Sequence, residues 1–321
     1  CMAERYRDEL RKEIPEIDVV LGTSEVPAIV GALEPPPQPE PRPAPAVPLP
    51  VYLYDDRTPR RLTTPSHYAY VKIAEGCNYR CAFCIIPRLR GRYRSRTAAS
   101  IVREARALAA RGVKELLLVS QDTTYFGHDR GERGALARLL GRLNEVDGLE
   151  WIRLLYLYPT TVTADTLRAI ADCDKVCKYV DLPLQHASNA VLRRMRRPGT
   201  RLSYTRLVQK IRSTIPGVTL RTTFIVGFPG ETDREFDELR QFVREMAFDH
   251  VGVFTYSHED GTAAGRLTDD VPRRLKLARQ RALMTLQKRL VAAAGRRRVG
   301  DRVRVLVDGP SPEHGLVLRG R

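Results

Sequence analysis

Six cysteines in 321 residues are too few to staple a fold of this size, which excludes a disulfide scaffold of the secreted kind. No run of eighteen apolar residues occurs, so nothing reads as a membrane-spanning helix. The opening stretch, CMAERYRDEL, has no basic segment followed by an apolar one and does not read as a secretory signal. These absences predict a cytoplasmic chain with reduced thiols. The stretch GFPGE (227–231) lacks the Lys-Ser/Thr of a phosphate loop and the G-x-G-x-x-G spacing of a dinucleotide site, so neither kind of nucleotide binding has support. Acid is missing locally too: RLRGRYRSR (88–96) holds five arginines and no carboxylate, RRMRR follows at 193–197, and the net charge is +16. Such clusters suit a phosphate-rich partner through counterion release, or form an ordinary solvated basic face.

What the chain does have is organised. Residues 35–50 carry nine prolines in sixteen positions, a semi-rigid polyproline spacer that joins neither sheet nor helix. Before it, 1–34 shows a helical pattern through Tyr6, Leu10 and Ile14 and then an apolar run, IDVVLG, that fits a strand. From Tyr68 onward, strand candidates at 68–74, 115–120, 151–157, 178–184, 218–227 and 250–256 alternate with helix candidates at 98–111, 133–146, 163–172, 188–196 with 203–214, and 231–246. Alternation of this kind predicts an α/β fold with right-handed crossovers and a parallel sheet, either an open or partial barrel or a doubly wound sheet. Both place chemistry at the carboxyl ends of the strands. A long basic helix is expected over 271–298, with Pro272 at its first position. The alternation VRVLV in 299–321 then reads as the first strand of a small β-domain.

One cysteine cluster stands apart. GCNYRCAFCIIP (76–87) sets Cys77, Cys81 and Cys84 in a C-x3-C-x2-C pattern directly after the first strand. Structural zinc takes four ligands. Cys173 and Cys177 would have to complete such a site, yet they belong to a different βα unit; otherwise they are ordinary thiols. Three thiolates can instead hold three irons of a [4Fe-4S] cluster and leave the fourth iron open.

C-x3-C-x-aromatic-C after the first strand, with Phe83 before the last cysteine, resembles the signature of radical S-adenosylmethionine (SAM) enzymes. The six βα units resemble their partial (β/α)6 barrel. Four segments, 67–96, DLPLQHASNAVLRRMRRPG (181–199), RTTFIVGFPGET (221–232) and VGVFTYSHEDGTAA (251–264), resemble the methylthiotransferases of that superfamily. TPSHYAYVKIAEGC, LYLYPT, QHAS and the Arg-Thr-Thr of RTTFIVGFPGET resemble the branch that modifies an aspartate of ribosomal protein uS12 rather than the branch that modifies transfer-RNA adenosine.

The resemblance implies that a methylthio group is attached to the aspartate β-carbon with two [4Fe-4S] clusters and two SAM molecules. One cluster would sit on Cys77, Cys81 and Cys84. Cys1 would serve the other, its partner ligands lying outside a sequence clipped at both ends. The partners implied are uS12, within or beside the small ribosomal subunit, and a reductase as electron donor; a monomer with no membrane contact is expected. The implied domains are 1–34, the remnant of an N-terminal α/β domain; 35–66, a Pro-rich linker; 67–270, the radical SAM core; 271–298, a connecting helix; and 299–321, the start of a small β-barrel (TRAM) domain.

The same resemblance points to cofactor contacts. Phe83 would lie against the adenine, or pack in the core. Gln121 and Asp122 would hold the SAM amino group, or form an ordinary turn and helix cap. Gln185, His186 and Ser188 end the fourth strand, where ribose and carboxylate contacts are expected; a lone histidine there is as often structural. Gly227 would let the backbone approach the cofactor, while Glu231 suits a helix start. Two rival functions remain: a zinc-stabilised RNA-binding module with no enzymatic role, and a radical SAM enzyme of other chemistry with a single cluster.

Overall fold

The computed structural model describes residues 2–33 and 51–321. Six parallel strands lie in sequence order: β1 (Tyr68–Lys72), β2 (Glu115–Val119), β3 (Trp151–Leu154), β4 (Tyr179–Asp181), β5 (Thr219–Val226) and β6 (His250–Thr255). β1, β2 and β3 form one ladder, and β4, β5 and β6 another. The two meet at a parallel bridge between Ile152 and Val176, reinforced where Leu157 N–H donates to Asp181 O. Because the order never reverses, right-handed crossovers leave every connecting helix on the same face. That excludes the doubly wound alternative and keeps the connectivity of a singly wound α/β core. Among the described residues nothing pairs β6 with β1.

The crossover helices are α1 (Ala98–Ala110), α2 (Ala135–Asn144), α3 (Ala164–Asp172), α4 (Asn189–Arg194) with α5 (Arg201–Thr214), and α6 (Asp233–Met246). Their starts are written in the sequence. Thr97 and Thr163 cap through their hydroxyls, and Thr200 with Ser203 and Thr232 with Glu235 form capping boxes, each cap contributing about 1 kcal/mol. Below them Ile101, Leu139, Leu143, Leu167 and Phe242 bury against Leu116, Leu118 and Phe224 of the sheet. Each such side chain contributes about 1.5–3 kcal/mol relative to exposure. The central strand β2 is buried on both faces, which is why ELLLV lacks alternation.

A last helix, α7 (Arg273–Arg296), covers the free edge at β6. Pro272 is its N-cap rather than its first residue. Gln280 donates to Val253 O, and Gln287 to Phe248 O. The basic character of this helix is therefore partly internal: Lys276 and Arg279 are buried on Asp269 and Glu231.

Two expectations at the ends are corrected. IDVVLG forms no strand, because among the described residues no neighbouring strand pairs with it, although Val20 is buried. VRVLV is not extended into a ladder until Val307; the hairpin runs through β7 (Val307–Pro310) and β8 (Leu318–Gly320), with Leu306 and Arg321 exchanging both backbone bonds at its open end. The Pro-rich stretch 35–50 and Cys1 lie outside the described residues.

Candidate active site

The loop after β1 makes a short two-stranded turn-back, Ala74–Glu75 against Arg94–Ser95, and the three cysteines lie between. Gly76 opens it at φ 89°, with Arg92 O so close that a Cβ would overlap it. Gly76 N–H donates to Gln121 Oε1 at 2.8 Å. Farther along, Ala82, between Cys81 and Cys84, is fixed from two sides: its N–H donates to Met195 O at 2.8 Å and its carbonyl accepts from Ala264 N–H at 2.7 Å. The cysteine loop is thus held by the end of β2, the end of α4 and the loop after β6.

Cys77, Cys81 and Cys84 are free thiols on one wall of a cavity of about 320 Å³. Phe83, Gln121, Gln185, Tyr156, Tyr158 and Arg197 complete much of the rest. This wall gathers the carboxyl ends of β1 to β4, where the parallel sheet was expected to keep its chemistry. Burial pushes the Cys77 thiol up to about 11, with the neighbouring thiols Cys84 and Cys81 adding to the rise, and burial raises Cys84 as well. A nearby multivalent cation reverses such a preference, since coordination deprotonates a thiol.

The donor set fits a [4Fe-4S] cluster better than one metal ion. Among the described residues no three His, Cys, Asp or Glu side chains converge on a single-ion site, and neither Cys173 nor Cys177 lines this cavity. Cluster thiolates bind separate irons and need only face a common cavity. A fourth zinc ligand is not found beside these thiols among the described residues.

Tyrosines the sequence did not single out shape the cavity. Tyr79 and Tyr158 stack at 3.7 Å with planes 7° apart. Tyr79 donates to Asp122 Oδ2 at 2.7 Å. Tyr156 and Gln185 both take left-handed backbone conformations, φ 59° and 73°, which non-glycine residues rarely adopt. Both are at strand ends and both line the cavity. The sequence signal for Tyr156 and Tyr158 is their position after β3, in LYLYPT; Tyr79 lies inside the cysteine motif itself.

The expected contacts divide. Phe83, Gln121 and Gln185 reach the cavity. Phe83 also packs against a small core that includes Met195, Phe228 and Tyr256, so the packing and cofactor-facing alternatives coexist. Asp122 does not line the cavity. It is fully buried, caps the 3-10 turn Thr123–Tyr125 through Thr124 N and Tyr125 N, and accepts from the hydroxyls of Tyr79, Thr124 and Thr161. Burial raises its pKa and those donors pull it back.

His186, Ser188 and Gly227 also lie behind the wall. His186 is fully buried, accepts from Ser188 N–H at Nδ1, and faces Glu231 at 3.5 Å. Ser188 occupies the N-cap of α4 without a side-chain cap bond. A Cβ on Gly227 would overlap Lys276 of α7, so the missing side chain makes room for that helix. Glu231 accepts from Gly227 N–H and pairs with Arg279 at 3.0 Å, both side chains being buried; it braces the loop instead of capping α6, where Thr232 does so.

Part of each basic run is taken up by the fold, while Arg88, Arg92, Arg193 and Arg196 stay exposed. Arg90 pairs with Glu75, Arg96 is buried on Glu104, and Arg94 donates to three carbonyls. In the second run Arg194 pairs with Glu235, and Arg197 is buried in the cavity wall.

Residues 71–243 match the Radical SAM superfamily model. Among curated relatives, the ribosomal protein uS12 methylthiotransferase RimO of Desulforamulus reducens is 45% identical, with 100% of this chain and 72% of that protein covered. The protein of that name from Solibacter usitatus is 47% identical, with 100% and 68% covered. Of the solved structures, coproporphyrinogen III oxidase (HemN) from Escherichia coli, a radical SAM enzyme, aligns with a TM-score of 0.53 and 20% identity over 70% of this chain and 52% of that one. The radical SAM methyltransferase TsrM of Kitasatospora setae, with cobalamin and a [4Fe-4S] cluster bound, aligns with a TM-score of 0.52 and 21% identity over 62% and 38%. At these identities the solved structures speak for the fold alone.

Proposed function

The chain belongs to the radical SAM superfamily and, within it, to the ribosomal protein uS12 methylthiotransferases, and from that membership we propose that it attaches a methylthio group to the β-carbon of a uS12 aspartate. Its cofactors are SAM and a [4Fe-4S] cluster held by Cys77, Cys81 and Cys84. When bound, that pair supplies one-electron chemistry able to open an unactivated C–H bond. The observation that carries the proposal is the convergence of three thiols, two glutamines and Phe83 on one cavity at the strand ends.

The chain's own part is binding and exclusion. Gln121 uses its carbonyl on Gly76 N–H, which leaves its amide NH2 as a donor toward the cavity. Gln185 is aimed inward by its own backbone turn and is held by Thr223 O and Ile225 N–H. The Tyr79–Tyr158 stack and Phe83 close off apolar sides and keep water from the reacting groups. The domain division, a cytoplasmic location, the reductase donor, a monomeric state and action beside the small subunit belong to this same proposal. No helix is long and apolar enough to cross a membrane among the described residues.

The test is anaerobic reconstitution of the chain and of a Cys77/Cys81/Cys84→Ala variant, followed by mass spectrometry of uS12 and of transfer RNA incubated with each. About four irons per parent chain, lost in the variant, with a methylthio group on uS12, supports the proposal. Modified adenosine without modified uS12 moves the chain to the RNA branch, and bound zinc without iron sinks the enzymatic reading.

A further inference from the structure

Arg197 is a buried cation with no carboxylate partner among the described residues. It is 7% exposed, and every other buried arginine described, Arg96 and Arg279, has a carboxylate within 3.0 Å. Instead, Arg197 NH2 donates to Pro183 O at 2.7 Å, its guanidinium lies 4.2 Å from the centre of the Tyr158 ring, and its NH1 points at Cys81 Sγ at 3.7 Å. Its Nε has no partner among the described residues. An isolated charge in such surroundings is costly unless something of opposite sign faces it.

The backbone goes to some expense to put it there. Helix α4 ends in a paired turn in which Arg196 N–H donates to Arg193 O and Arg197 N–H to Leu192 O, the Schellman arrangement. The residue at its left-handed position is normally glycine; here it is Arg196 at φ 53°. The turn reverses the chain and sends Arg197 inward, while Arg196 stays exposed. The same helix end accepts Ala82 N–H on Met195 O, so Arg197 and the cysteine loop are positioned by one element.

We propose that Arg197 is a positioning residue for the Cys81 sulfur, supplying the positive charge and N–H donor that stabilise the reduced form of the cluster. The inference rests on the functional reading above. Adding one electron makes the core and its thiolates one unit more negative, with no bond broken and no proton moved, and a hydrogen bond to a ligand sulfur favours that state. A guanidinium suits the role because it remains charged when buried and donates in a fixed plane. Pro183 O and the Tyr158 face hold that plane, which leaves NH1 for sulfur.

The experiment is a dithionite titration of the reconstituted chain without SAM, followed by electron paramagnetic resonance, on the parent and on Arg197→Lys and Arg197→Gln. Iron content and SAM binding are measured alongside. The expected result is parent-like iron, with a midpoint more negative in Arg197→Gln and intermediate in Arg197→Lys. Coincident midpoints overturn the proposal. If SAM binding alone weakens, the anion Arg197 serves is the SAM carboxylate; if both variants keep their fold but lose iron, Arg197 is scaffold only, and either result also overturns it. A parent that takes up no iron fails the functional reading first, and this inference with it.

Discussion

The Tyr79 hydroxyl donates to Asp122 Oδ2 at 2.7 Å, joining the cysteine loop to the end of β2. Because Tyr79 lies between Cys77 and Cys81, that bond holds the spacing of two candidate cluster ligands. Tyr79→Phe removes one charge-assisted donor from a buried carboxylate, a loss of about 1.5–3 kcal/mol. Burial already raises the Asp122 pKa, and the variant raises it further. A raised carboxyl contributes stability below its unfolded value, roughly 3.9, and loses it as pH rises through the folded value. The deficit of Tyr79→Phe should therefore be larger at neutral pH than in acid. Thermal unfolding of both proteins at the two pH values measures it, and parallel curves would refute the coupling.

Arg279 and Glu231 pair with both side chains out of solvent. Removing the cation leaves Glu231 with Gly227 N–H, Phe228 N–H and His186 Nε2. Arg279→Met should cost about 3–5 kcal/mol, because it strands a buried charge. Glu231→Gln combined with Arg279→Met should recover a good part of that loss. Denaturant unfolding of the single and double variants decides it; a double variant as unstable as the sum of the two singles would remove the pair's significance.

Much of this architecture was legible because period and punctuation agree. Strand runs rich in Val, Ile and Leu alternate with helices started by Thr97, Thr163, Thr200 and Thr232, and the strands β1 to β6 and their crossover helices fall inside or within two residues of their expected ranges. That Cys77, Cys81 and Cys84 share one wall was legible from their spacing after the first strand. What was not legible depends on three-dimensional neighbours. Gly227 looked like a cofactor approach; that its missing Cβ makes room for Lys276, forty-nine residues later, could not be read from the sequence. Asp122 resembled a ligand contact, while its oxygens are occupied by a cap and by Tyr79. The arginine runs suggested an external partner, but Glu75, Glu104 and Glu235, distant in sequence, take several of them.

Cys177 gives a readout of the fold away from the cavity. Burial pushes its thiol up to about 11, whereas an ordinary cysteine titrates at roughly 8.5. The stability conferred by the protonated thiol is complete below the ordinary value and is lost as pH rises through about 11. At pH 8, iodoacetamide should label Cys177 far more slowly in the native chain than in urea, where the ordinary thiol value returns. Peptide mapping by mass spectrometry checks this, and equal native and denatured rates would contradict the burial.

Gly76 and Gly112 offer a matched comparison. Both hold left-handed backbone, φ 89° and 90°. A Cβ at Gly112 meets nothing within 4 Å, while one at Gly76 overlaps Arg92 O. Gly112→Ala therefore isolates conformational strain and should cost about 1 kcal/mol. Gly76→Ala adds a backbone clash that cannot relax by moving a side chain, and it displaces the N–H that binds Gln121; about 2–3 kcal/mol is expected, with iron uptake reduced as well. Unfolding and iron content of the two variants separate the effects. If the two alanines cost the same and iron is unchanged, Gly76 is needed only for its dihedral angles, and the close approach of Arg92 does not shape the cysteine loop.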